Sequence, residues 1–270
     1  MCCKNGKKTY KGYMKRLAIL FLSLCLFTGC ATVPTDPDEL AVYEANNDPL
    51  EPMNRSILAF NLKVERYVYR PIILGYRAIT TPDGRESIRV FLDNLKSPVT
   101  IFNDLIQGRF IQTGKDLSRL IINTTLGFFG FFDVADKMGI KPHKNSFATT
   151  LAIWNVPSGP YFMLPFVGPM DVRSATGYIA DYFVDPASYI ADETKHKPYR
   201  YAINTAKVLR PISTYERYID ILDDAYQSSA DYYAFMRSAY RQGVAKMIRE
   251  ERGEEESVDN YNFDMEDDDE

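Results

Sequence analysis

Two histidines and four cysteines are where catalysis or metal binding would start in this 270-residue sequence. His143 and His196 lack the short ligand spacing of a zinc site, and each reads as an ordinary surface or core residue. No G-x-S-x-G stretch presents a serine on a nucleophile elbow. Cys2, Cys3, Cys25 and Cys30 all lie in the first 30 residues, so no thiol remains in the body as nucleophile or disulfide partner. Scattered Asp and Glu residues read as solvated helix faces. The expectation is a protein without catalytic residues, metal or cofactor.

Cys30 carries chemistry of another kind. Lys4, Lys7, Lys8, Lys11, Lys15 and Arg16 form a basic region, followed by the apolar run Leu17 to Phe27 and then "FTGC". Such a run suits an export signal and is short for a span. The arrangement resembles a bacterial lipoprotein signal, with Phe27 where Leu is usual, in which the cysteine is lipidated and becomes the new N-terminus. Residues 1–29 are then the signal peptide and Cys30 the lipidation site. Several acyl chains, at ~0.8 kcal/mol per buried CH₂, anchor stably where a single chain holds only marginally. A triacylated, palmitate-bearing Cys30 tethers the chain without a transmembrane helix. Ala31 resembles the outer-membrane sorting pattern.

Charge divides the rest. Residues 1–30 carry +6 and residues 250–270 carry −11, which leaves +1 for residues 31–249 out of a net −4. A near-neutral body excludes the clustered basic surface that nucleic acid requires. The acidic stretch 250–270 reads as a disordered, solvating tail. Residues 30–50, rich in Pro, Asp and Asn, read as the lipidated N-terminus and tether, and residues 51–249 as one domain.

Within that domain the periodicity is helical and the fold class is mainly α. Asn54 is placed to cap a helix carrying Ile57, Phe60, Val64 and Val68, with Pro71 closing it. Ile88, Phe91, Leu92 and Leu95 form a second stripe, which Pro98 is expected to break, before a short turn of helix to Gln107 and Gly108. Leu117, Leu120, Ile121 and Thr124 form a third. One long helix is expected from Ser213 to Arg249. Two uncharged runs stand out: Leu120 to Phe132 and the 26-residue Asn145 to Met170. Pro157, Pro160, Pro165 and Pro169 make the second implausible as a continuous spanning helix.

Several stretches resemble the MlaA/VacJ family of bacterial outer-membrane lipoproteins: "NDPLEPMNRSILAFN" (47–61), "NLKSPVTIFNDLIQG" (94–108), "TTLGFFGFFDVA" (124–135), "FATTLAIWNVPSGPYFMLPFVGPMDVR" (147–173) and "DYYAFMRSAYRQ" (231–242). They cover nearly the whole body in the family's order. The chain departs at Phe128, Phe129 and Phe131, where the family tends to glycine-rich "GLGGLFD", and at Ala148 and Ala152. The resemblance implies a ring-like helical lipoprotein lying in the inner, periplasm-facing leaflet of the outer membrane, with no transmembrane span in the mature chain. It implies a path by which misplaced phospholipids leave the outer leaflet, association with a trimeric porin, delivery to a periplasmic lipid carrier, and maintenance of lipid asymmetry. A structural envelope lipoprotein and a lipid-acting hydrolase are the rival readings.

Aromatic stripes ordinarily fill a core. With an acyl tether already argued, the same residues read as leaflet-inserted. The candidate membrane-embedded residues are Phe128, Phe129, Phe131, Phe132, Tyr161, Phe162 and Phe166. Asp133, Asp136, Lys137, Lys141 and Lys144 form a charged loop expected to stay wet between the two runs.

Overall fold

The computed structural model describes residues 48–187 and 197–254. The signal sequence, Cys30, the tether to residue 47, His196 and residues 255–270 lie outside them. Among the described residues the fold is mainly α with one two-stranded hairpin. No described helix is long and apolar enough to cross a membrane. The chain divides into two compact units, one of residues up to 70 with 159–171, the other of 71–158 with the remainder.

The first unit joins helix α1 (Glu51–Val64) to strands β1 (Tyr161–Leu164) and β2 (Gly168–Asp171), paired antiparallel with Leu164 opposite Gly168. Asn54 does not cap α1. The helix begins at Glu51, with Leu50 as its cap and Pro52 in its first turn. Asn54 is instead fully buried. Its Nδ2 donates to Asp48 Oδ1 at 2.8 Å, and its Oδ1 accepts from the Met163 N–H at 2.8 Å. Nor does Pro71 end the helix. A π-turn at Glu65–Tyr69 comes first, and the Arg70 N–H bonds Glu65 O. A wider turn shifts the register before a proline that supplies no N–H of its own. Helix α2 (Arg70–Ile79) follows.

The second unit contains α3 (Pro82–Ile106), α4 (Phe110–Thr125), α5 (Val134–Lys137), α6 (Phe147–Ile153), α7 (Val172–Val184), α8 (Lys197–Ser228) and α9 (Tyr232–Arg252). Thr81 caps α3 by accepting from the Gly84 N–H at 3.1 Å. The helix then runs through Pro98 without the expected break, because Val99, Thr100, Asn103 and Asp104 just beyond are packed in the interior. Tertiary packing here outweighs a local penalty of about 3 kcal/mol. The single helix expected from Ser213 to Arg249 is two helices. Asp231 accepts from the Tyr233 and Ala234 N–H groups and starts α9 afresh. Helix α9 continues to Arg252, inside the stretch read as acidic tail, and Gly253 closes it at φ +68°. Helices α6 and α7 approach closely at Gly177, where a Cβ would fall 2.3 Å from the Ala148 nitrogen.

Candidate functional site

Helix α4 defines the site because it is amphipathic in the reverse of the usual sense. Phe110, Leu117 and Ile121, at i, i+7 and i+11, are exposed, while Asp116 and Asn123 are buried. The third apolar stripe of the sequence therefore faces outward. Helix α7 exposes Val172, Tyr178, Ile179, Tyr182 and Phe183 with only Gly177 buried, and the C-terminal end of α3 exposes Phe102 and Leu105 while burying Asn103 and Asp104, although Leu92 and Val99 of the same helix are buried. Water-facing helices invert this arrangement. Exposed apolar side chains in this number fit a hydrocarbon surround.

The connection after α4 carries the same message in its backbone. Phe128 and Phe129 hold left-handed φ values of 51° and 58°, with side chains 65% and 66% exposed. The left-handed region costs an L-residue about 1–2 kcal/mol. A loop that would be relaxed with glycine instead presents two phenylalanines outward at that cost. Phe132 is also exposed, whereas Phe131 is half-buried and stacked on Phe91 at 4.6 Å. Gly130 is required here, since a Cβ at its φ of +94° would lie 2.6 Å from Asn94 Nδ2.

In the first unit, Phe166 occupies the hairpin tip with φ 66° and is 59% exposed. The tip is pinned. Asn61 Oδ1 accepts from the Phe166 N–H at 2.8 Å, Asn61 Nδ2 donates to Leu164 O at 2.9 Å, and the Tyr69 hydroxyl donates to Phe166 O at 3.1 Å. Phe60 meets Phe166 edge to face at 5.2 Å. Phe162 is half-buried. Tyr161 is 2% exposed, which removes it from the candidate lipid-facing set: the pleat that turns Phe162 outward turns Tyr161 and Met163 into the unit's core. Four of the seven candidates, Phe128, Phe129, Phe132 and Phe166, are thus exposed side chains.

Inside the second unit lies a polar network. Asn103 donates to Asp181 Oδ1 at 3.0 Å and accepts from Thr150 Oγ1 at 2.9 Å. Gln107 Nε2 donates to Thr150 Oγ1 at 2.7 Å and to Asn145 Oδ1 at 3.2 Å, and Asn145 donates onward to Asp104 at 2.8 Å. His143 is its centre, with Nδ1 2.9 Å from Asp116 Oδ2 and Nε2 2.5 Å from Glu251 Oε1. Burial opposes charge on this ring, but hydrogen bonds to Asp104 and Asp116 and their negative charge outweigh it and raise His143 to about 9. Both ring nitrogens therefore donate at neutral pH. Burial pushes the Asp104 carboxyl up, yet its bonds to His143 and Asn145 leave it below the usual carboxylate range. Arg109 pairs with Glu251.

Ligand atoms of Asp104, His143 and Glu251 lie within 4.8 Å of one another, a donor set of the kind that binds zinc. Here both imidazole nitrogens are turned to carboxylates and Arg109 takes the other side of Glu251, so the cluster reads as a charge-paired strut. It ties α3, α4 and α9 to the loop before α6. The charged loop is also held down: Arg119 bonds Asp133 at 2.8 Å and the Ile140 carbonyl, and Lys144 reaches Asp93 at 2.7 Å.

Periodicity read only for apolar residues missed this network. Thr100, Asn103, Asp104 and Gln107 recur at i, i+3, i+4 and i+7, and Asp116, Arg119 and Asn123 at i, i+3 and i+7. A polar stripe at helical spacing beside an apolar one was the available signal. Glu251 had none, since it stands in an acidic run.

The MlaA lipoprotein family matches residues 46–247 of this chain. The chain belongs to that family. The intermembrane phospholipid transport system lipoprotein MlaA of Escherichia coli is 32% identical over 234 residues, 84% of this chain and 86% of the relative. An uncharacterised protein of Rickettsia prowazekii is 34% identical over 186 residues, 65% of this chain and 74% of the relative. A solved chain from work on the structural basis for maintenance of bacterial outer membrane lipid asymmetry superposes with a TM-score of 0.64 at 29% identity, covering 74% of this chain and 98% of that one. In this MlaA-family chain, Phe128 and Phe129 hold a left-handed backbone that glycine adopts without strain.

Proposed function

We propose that this chain is the outer-membrane lipoprotein of an intermembrane phospholipid transport system and acts to maintain lipid asymmetry. Family membership and likeness to the E. coli protein support that reading. The structural observation that carries it is the set of outward apolar side chains on α4, α7 and the C-terminal end of α3 over a buried polar network, with no described helix able to cross a bilayer. A chain so built sits within one leaflet, held by the acylated Cys30, with Phe128, Phe129, Phe132 and Phe166 as its apolar contacts. We place it in the periplasm-facing leaflet, beside a trimeric porin and upstream of a periplasmic lipid carrier.

Energetics favour passage over extraction. Moving two acyl chains of roughly 30 CH₂ groups into water costs on the order of 25 kcal/mol at ~0.8 kcal/mol each. With the tails kept in the membrane, the barrier is the polar headgroup, which amides, hydroxyls and water lower without chemical energy. Transport is therefore passive, with direction set by the acceptor, and no catalytic step is assigned. The test is a deletion strain assayed for phospholipid exposed on the cell surface. Increased exposure, reversed by the wild-type chain and not by Cys30→Ala, is expected. Exposure unchanged from wild type would favour a purely structural envelope lipoprotein.

A further inference from the structure

We infer that the open cavity between α3 and α8 binds the phosphate group of a phospholipid headgroup; this assignment rests on the transport reading above. The cavity is a solvent-open cleft of about 80 Å³ within the second unit. Arg89, Lys144, Arg210 and Arg217 line it, against Asp93 as the single lining carboxylate. Two of these cations have counter-charges. Lys144 pairs with Asp93 at 2.7 Å, and Arg89 shares the buried Glu216 with Arg77 and Arg85.

The other two have none among the described residues. Arg210 Nη2 donates to the Leu92 carbonyl at 3.1 Å, which leaves the rest of its fork open. The Arg217 guanidinium lies 6.0 Å from the Tyr218 ring. Lys96, one helical turn beyond Leu92, does not line the cavity, but it senses the same charges. Burial lowers its proton affinity, and Arg210 and Lys144 lower it further, while Asp181 and Asp93 act in the opposite sense.

Polar donors complete the site. Ser213 is 1% exposed and lines the cavity, and its Oγ approaches the Tyr76 hydroxyl without a well-aligned hydrogen bond to it. Thr214 and Tyr218 line the cavity beside it. Two guanidinium forks, an ammonium and hydroxyl donors around one space match a tetrahedral oxyanion, which relieves the repulsion among the cations.

Purified full-length protein is titrated with dihexanoyl-phosphatidylglycerol, with dihexanoylglycerol, which has the same tails and no phosphate, and with inorganic phosphate. The phospholipid should bind at least about tenfold more tightly than either. Arg210→Gln with Arg217→Gln should weaken phospholipid binding by about tenfold or more, while the Lys pair restores part of it. Unfolding midpoints identify any variant that fails through misfolding, and the Lys pair then decides the case. Equal binding of dihexanoylglycerol, or undiminished binding by a folded Gln pair, overturns the site. Inorganic phosphate binding as tightly as the phospholipid overturns its assignment to a lipid. A deletion strain with wild-type surface phospholipid would sink the transport reading, whereas these titrations judge the cavity separately.

Discussion

Replacing Phe128 and Phe129 together by glycine separates a membrane role from a core role, because the two readings predict opposite changes in stability. At 65% and 66% exposure, the two rings present roughly 260 Å² to their surroundings, taking ~200 Å² for a whole aromatic side chain. At ~25 cal/mol per Å², complete transfer of that area from water to hydrocarbon is worth roughly 6 kcal/mol. If half the area reaches the acyl region, roughly 3 kcal/mol is lost on substitution, about a 100-fold weaker partition. Stability should move the other way. Relief of two left-handed φ values returns about 1–2 kcal/mol each. Glycine's extra chain entropy takes back ~0.5–1 kcal/mol each. Loss of the edge contact between the two rings at 5.8 Å costs a further ~1 kcal/mol. The net change is a small gain of roughly 0.5 kcal/mol. The assay is liposome flotation in a Cys30→Ala background, so that acyl chains do not mask the effect, paired with urea unfolding at fixed detergent. Unchanged flotation would refute the membrane contact. A stability loss of about 3–5 kcal/mol would show that the rings fill a core after all.

Two further outcomes follow from the polar contacts. His143 stands at about 9 in the folded chain against an ordinary 6.5, so its stabilisation is full below pH 6.5 and is lost as pH rises through about 9. That gap is worth about 3 kcal/mol, and urea midpoints should fall across this window in wild type and stay flat in His143→Gln. Asn61→Ala removes both bonds that pin the hairpin tip, at a cost of about 1–3 kcal/mol, and the Phe166 amide should exchange with solvent at least about tenfold faster. An unchanged exchange rate would mean that the Tyr69 and Phe60 contacts suffice.

Helix boundaries were legible wherever a local signal stood alone. Gly108 marked the end of α3, and the four prolines from Pro157 to Pro169 ruled out one continuous helix. Local rules failed where packing overrode them: Pro71 and Pro98 lie within continuing helical runs, and Asp231 divides a run of 3.6-residue period that looked unbroken. Tyr161 and Phe162 are chemically similar neighbours, and only strand pairing decides which one is buried.

The sequence by itself determined the class of elements, the uncharged runs, the lipoprotein-like start and the family. These are written in composition and in spacings of a few residues, which act within one helical turn. Only the tertiary structure decided which way each amphipathic helix faces, because a 3.6-residue period is the same whether its apolar side meets a core or lipid. It also decided the pairings between distant positions, such as His143 with Glu251 across 108 residues and Asn61 with Phe166 across 105. Those depend on how whole helices pack, and side chains so far apart in the chain leave no periodic trace of their partners.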